Sequence, residues 1–222
     1  MSYKVVAAPD DNSPRRQLVF WLVMAGVAAV VLIQLMVHPV GPAGTVGTAH
    51  PAVGGKLISL HVEPLTGGGE DVYLEQLEGG VTVVNFWGTW CPPCRQEFPH
   101  VVALYDEYGD RAEFRLLAIC EPSGSQLDVV ALRAETAAFL SAQHATLPTY
   151  FDPEQSLIGA TQLVLGSGSF GFPTTLVLDR DTTIRGVWEG YVPGMERDIE
   201  ALVEKLLDEP TAAPDDMAAE TT

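Results

Sequence analysis

Basic residues are scarce in this chain: 12 Lys and Arg stand against 29 Asp and Glu in 222 residues, a formal charge of -17. Binding to a phosphate backbone draws its affinity from clustered Lys and Arg, so nucleic acid is excluded as a partner. Nine of the 12 basic residues and 27 of the 29 acids follow residue 40, and this acidity is read as a solubilising surface. Cysteine is as sparse, with three in all. None lies just after the one long apolar run, which removes the attachment point of a lipoprotein anchor. No Lys-Ser or Lys-Thr follows the glycines of "LGSGSFG" (165–171), so that stretch is no phosphate loop. The five histidines (His38, His50, His61, His100, His144) and Cys120 provide no second ligand pair at the short spacing of a structural zinc site. No metal and no cofactor is expected.

Residues 18–37, "LVFWLVMAGVAAVVLIQLMV", run without a charge. As a helix they would be about 30 Å long, the thickness of a bilayer's hydrocarbon core. Arg15 and Arg16 abut the start of the run and no Lys or Arg follows until Lys56, which puts the N-terminus in the cytoplasm and the rest outside. The competing reading is a cleaved signal with Gly47 and Ala49 near the cut, but signal apolar cores are shorter, about 7 to 15 residues. Under both readings the bulk of the chain lies outside the cytoplasmic membrane, where disulfides persist. The expected organisation is a cytoplasmic N-terminus (1–17), a transmembrane anchor (18–38), a flexible linker rich in Pro and Gly (39–55), a folded domain (56–208) and a disordered acidic tail (209–222).

Inside the domain "LISLHVE" alternates as an edge strand does, while "VTVVNFW" and "FRLLAIC" are nearly continuous apolar runs, typical of strands buried on both faces. Val101, Leu104, Tyr105 and Tyr108 fall on one helical face, as do Val129, Leu132, Thr136, Phe139 and Leu140, and later Met195, Ile199, Leu202 and Leu206. A short strand at "PTYF", a short helix over 154–164 and two strands joined by a polar turn at 179–182 complete the order. Strands alternating with helices predict an α/β fold, a central mixed β-sheet flanked by helices.

"VNFWGTWCPPCRQEFPH" (84–100) carries the chemistry. Cys91 opens a helix whose first residues are Pro92 and Pro93, and proline suits that turn because its missing N–H is not needed there. Unpaired N–H groups and a partial positive charge at a helix start favour the thiolate, the attacking species in disulfide exchange. Cys94, three residues on, returns to the same face within reach of a mixed disulfide at Cys91. The prolines stiffen the loop and tune the potential. A structural zinc site and a purely structural disulfide are the alternatives. The first lacks ligands, and the second would close a loop too short to stabilise much.

The motif "VVNFWGTWCPPCRQEFP" resembles the thioredoxin-like proteins of the membrane-anchored TlpA/ResA type, which read close to V-N-F-W-A-T-W-C-x-P-C-x-x-E-x-P. "GFPTT" (171–175) is the second anchor of the resemblance, which runs in element order from about 57 to 207. The resemblance implies a thioredoxin-like fold, with Cys91 as the exposed nucleophile and Cys94 as the buried resolving thiol of a redox-active disulfide. Glu97 matches the acid that follows the second cysteine; a half-buried carboxyl there would have a raised pKa and relay the Cys94 proton. Asn85 stands where thioredoxins carry an aspartate, which moves the proton-transfer role to Glu97. Pro173 matches a cis-proline beside the disulfide. With Phe172, Pro92 and Trp90 it borders the substrate, while Trp87 packs and Pro99 kinks the helix. Cys120 is read as a small buried hydrophobe.

By the same resemblance the expected activity is reduction of protein disulfides outside the membrane. The substrate class is apocytochrome c or its handling proteins, with a membrane thiol reductase as electron donor. The alternatives are a reductant of copper-chaperone or oxidase-subunit cysteines and a copper carrier of the same fold. A carrier would want C-x-x-x-C and a distal histidine, and His144 has no evident role. A peroxidase of related fold would want an activating arginine placed differently from Arg95.

Overall fold

A computed structural model of the chain describes residues 17, 18, 20–26, 47–124, 126–166 and 170–210. The chain falls into two units, Met1–Ala43 and Gly44–Thr222. In the first, residues 17, 18 and 20–26 are helical, and Leu18, Phe20, Trp21, Leu22 and Val23 are exposed. Most of the expected span 18–38 lies outside the described residues. No helix among the described residues is long and apolar enough to cross a membrane.

The second unit is built around β3 (Val81–Trp87), in which every residue is buried. Its β-branched and aromatic side chains suit a pleated strand covered on both faces. In chain order its neighbours are β1 (His61–Thr66), β2 (Val72–Tyr73), α1 (Pro92–Tyr108), β4 (Phe114–Cys120), α2 (Val129–Gln143), β5 (Thr149–Phe151), α3 (Ser156–Leu165), β6 (Thr174–Leu178), β7 (Ile184–Glu189) and α4 (Met195–Asp208). The strands form one sheet in the order β2-β1-β5-β4-β3-β6-β7. β3, β4 and β5 run parallel, and β6 and β7 add antiparallel beyond β3. The predicted mixed sheet with flanking helices is present.

Side-chain alternation splits the core into two layers. Trp87, Phe98, Leu132, Leu140, Ile199 and Leu206 fill the layer under α1, α2 and α4. Val84, Phe86, Leu117, Leu157 and Leu176 fill the other, under α3. Asp128 caps α2, its Oδ1 accepting the N–H groups of Val130 and Ala131 at 3.0 Å each. His144 ends that helix in the left-handed region, at φ 55. There its N–H returns to the carbonyls of Leu140 and Ser141, the usual way of closing orphan acceptors.

Two expectations shift. The strand read over "LISLHVE" begins at His61; Leu57 and Leu60 are buried in irregular chain that packs the second layer, and their inward turns produced the alternation. Residues 47–55, assigned to the flexible linker, are folded onto the sheet margin. Gly47 bridges to Val187 and Lys56 to Thr183 on either side of turns, and Ala52 is buried. Gly47 adopts φ 51, and a Cβ there would stand 3.2 Å from the Trp188 indole. Small residues fit this strip because it pairs through its backbone, so it carries no apolar period while covering part of the open edge of β7. At the other end, Glu209 ion-pairs with Arg185 at 3.4 Å, and residues 211–222 of the expected tail lie outside the described residues.

Candidate active site

β3 ends at Trp87, and four residues later Cys91 takes the N-cap position of α1 with extended backbone, φ -91 and ψ 110. Pro92 and Pro93 occupy the first two helical positions and offer no N–H. The first donor of the helix is therefore the Cys94 N–H, which points at Cys91 Sγ at 3.3 Å. Cys91 and Cys94 form a disulfide, with Cα atoms 5.3 Å apart. The expected contrast of an exposed Cys91 and a buried Cys94 is absent in this oxidised state: they are 2% and 1% exposed. The cap geometry turns the Cys91 sulfur inward to accept that N–H. Trp90, the preceding residue, is 44% exposed.

Glu97 lies one turn beyond Cys94 and is buried fully, at 3% exposed, beyond the half-burial expected. Its Oε2 accepts from Asn85 Nδ2 at 2.9 Å, and its Oε1 accepts from the Thr175 hydroxyl at 3.0 Å. Asn85 Nδ2 also donates to Thr175 Oγ1 at 2.8 Å. Asn85 of β3 and Thr175 of β6 are register partners, so two strands and α1 meet at one carboxyl. Burial pushes Glu97 up to about 7 against the opposing pull of these two hydrogen bonds. A cavity of about 240 Å³ between α1 and α4 is lined by Asn85, Glu97, His100, Thr175, Tyr191 and Glu196, which connects the carboxyl to polar groups nearer solvent.

The Phe172–Pro173 peptide bond is cis. Pro173 is buried and its carbonyl accepts the Gly190 N–H at 2.7 Å. The Phe172 ring meets Trp90 edge-on, centroids 5.4 Å apart. Trp87 is packed inside against Phe98 and Phe139, as expected. Pro99 sits within α1.

Cys120 is buried, with its sulfur 3.2 Å from Thr136 Oγ1, and burial pushes its thiol up to about 11, which keeps it protonated and unreactive. His61, Glu63 and Asp71 bring ligand-type atoms within 4.8 Å of one another on the β1–β2 pair. His61 there already meets Asp71 at 3.5 Å and stacks on Tyr73, so the trio is accounted for as surface pairing.

Two contributors escaped the sequence reading. Thr175 was visible only as part of "GFPTT". Glu121, the first charge after an apolar strand, has the pattern of a strand end turning to solvent, yet it is 3% exposed with Oε1 unpartnered. Burial, and then the neighbouring Asp152, push its carboxyl up to about 8.

A mixed sheet between helices, with a Cys-Pro-Pro-Cys disulfide at the start of the helix after its central strand and a cis-proline loop nearby, defines a thioredoxin-like domain. The chain belongs to the AhpC/TSA family, whose model matches residues 53–187. It is 30% identical over 128 residues to the thioredoxin-like protein YneN of Bacillus subtilis, covering 58% of this chain and 67% of that one. Over 43 residues it is 51% identical to the thiol-disulfide oxidoreductase ResA of Halalkalibacterium halodurans, covering 19% of this chain and 24% of that protein's length. Among solved structures, the thiol:disulfide interchange protein of Chlorobium tepidum superposes with a TM-score of 0.54 at 24% identity, over 68% of this chain and 95% of that one.

Proposed function

We propose that this protein is a thiol-disulfide oxidoreductase that reduces disulfides in polypeptide substrates outside the cytoplasmic membrane, held there by the apolar segment 18–38. The observation that carries the reading is the Cys91–Cys94 disulfide at a helix start, with the buried Glu97 carboxyl one turn behind it. In the reduced protein the Cys91 thiolate attacks a substrate disulfide, forming a mixed disulfide and releasing one substrate sulfur as a thiolate. Glu97, ionised, takes the proton of Cys94. The Cys94 thiolate then attacks Cys91 Sγ, closes the protein disulfide and releases the second substrate thiolate. Two electrons pass to the substrate, and Glu97 returns its proton through the cavity.

Trp90, Pro92, Phe172 and Pro173 border the substrate segment. Support for protein disulfides as the substrate class comes from the relatives named thiol-disulfide oxidoreductase; by the resemblance the substrate would be apocytochrome c or its handling proteins, and a membrane thiol reductase would return the electrons. The reading is tested by equilibrating the protein against a graded thiol/disulfide buffer and counting blocked thiols by mass. The expected result is one two-electron couple, a tenfold change in equilibrium constant per about 30 mV, confined to Cys91 and Cys94 with Cys120 untouched. A pair reduced only in unfolded protein, or exchange that consumes Cys120, would refute it.

A further inference from the structure

Glu97 and His100 stand three residues apart on α1, so both side chains lie on one helical face. That face lines the cavity of about 240 Å³ between α1 and α4. Glu97 is shut away from solvent, whereas His100 is partly exposed. From the loop after β7 the Tyr191 ring stacks on the His100 imidazole, centroids 5.9 Å apart at an interplanar angle of 24°. From α4, Glu196 lies within electrostatic range of His100, and its Oε2 accepts the Gly194 N–H at 2.8 Å. The remaining titratable groups lining the space are Glu107 of α1 and Glu200 of α4, both exposed. Among the described residues His100 is the one basic group there.

These groups differ in their capacity to take a proton near neutrality. Backbone N–H groups, with His100 adding its attraction, hold Glu196 below the usual carboxylate range, so it stays ionised. Burial, and then Glu196 and Glu97, push Tyr191 above the ordinary phenol value, so it keeps its proton. Histidine is the side-chain type that both takes and gives a proton near neutral pH. A polar cavity of this size admits water, which can carry a proton between its lining groups. From this geometry we infer that His100 is the proton-exchange residue of the site: it takes the proton of Glu97 across the cavity and hands it to solvent, its imidazolium balanced by ionised Glu196. The proton that leaves Cys94 thus passes to Glu97, then to the imidazole, then to bulk water, and no electrons move with it. His100 acts on the cysteines only through Glu97. The inference rests on the proposed activity, and the test reads the two apart.

The test mixes the reduced full-length protein at equimolar ratio with an aromatic disulfide that releases a coloured thiolate at each step. Attack by Cys91 frees the first thiolate and resolution by Cys94 the second, so two phases report the two steps. Below pH 7 most Glu97 carboxyls hold a proton that must leave before they can accept that of Cys94. His100→Gln should therefore slow the second phase about tenfold at about pH 6, less than the loss of a group acting on the reacting atom itself. The first phase should be unchanged, and at about pH 9 the second should match the wild type. Imidazole added to the buffer should restore the rate. His100→Phe, which keeps a ring against Tyr191, should be as slow and be rescued alike. An unchanged second phase in both variants, a slowing equal at the two pH values, or a slow phase that imidazole leaves slow would each overturn the inference. A wild-type protein that releases no second thiolate would instead strike the underlying activity, and the inference with it.

Discussion

At the scale of single residues, Glu97 decides how the site responds to pH. Its carboxyl is held at about 7 in the fold against 4.5 as an ordinary glutamate. Between those values the folded state keeps a proton that the unfolded state has lost, so the stability it contributes is complete below 4.5 and disappears as pH rises through 7. The difference amounts to roughly 3 kcal/mol at 1.4 kcal/mol per unit. Glu97→Gln, neutral at every pH, should therefore gain on the oxidised wild type between pH 5 and pH 8 in urea unfolding, and lack the rise in exchange rate expected of the wild type near pH 7. Parallel stability curves together with unchanged rate profiles would leave Glu97 a structural residue. Cys91, Cys94, Glu97 and Pro173 were legible because their spacing lies within short motifs. Thr175 as a partner of Glu97 and buried Glu121 were not, because each depends on segments distant in sequence coming together.

At the scale of elements, α3 shows how a helix start can be satisfied from outside. Its N-cap, Gln155, is left-handed and makes no side-chain cap. Asp152, buried just after β5, instead accepts the N–H groups of Ser156, Leu157 and Ile158 at 3.1, 2.8 and 3.1 Å. Replacing it by Ala would strand these donors and should cost about 2 kcal/mol in denaturant unfolding. Asp152→Asn, keeping one acceptor oxygen, should cost less, and an Ala variant as stable as wild type would remove the capping role. The helices and buried strands were legible from period and apolar runs. The start of β1 and the folding of 47–56 were not: Leu57 and Leu60 mimic a strand by burying irregular chain, and the glycine-rich strip is held by backbone bridges that leave no side-chain pattern.

At the scale of the whole molecule, the mixed sheet and its layers were readable as a class, while the strand order and the meeting of β3, β6 and α1 at one carboxyl were not. Local periodicity marks which face of an element is apolar and says nothing of which element covers it. The central claim, that Cys91 attacks and Cys94 resolves on a chain held at the membrane, is tested most directly by trapping in membranes carrying the full-length protein. Cys94→Ser should accumulate substrates as mixed disulfides on Cys91, in the membrane fraction and released by dithiothreitol, while Cys91→Ser should accumulate none. Adducts on Cys91→Ser instead, or none on either variant, would contradict the account.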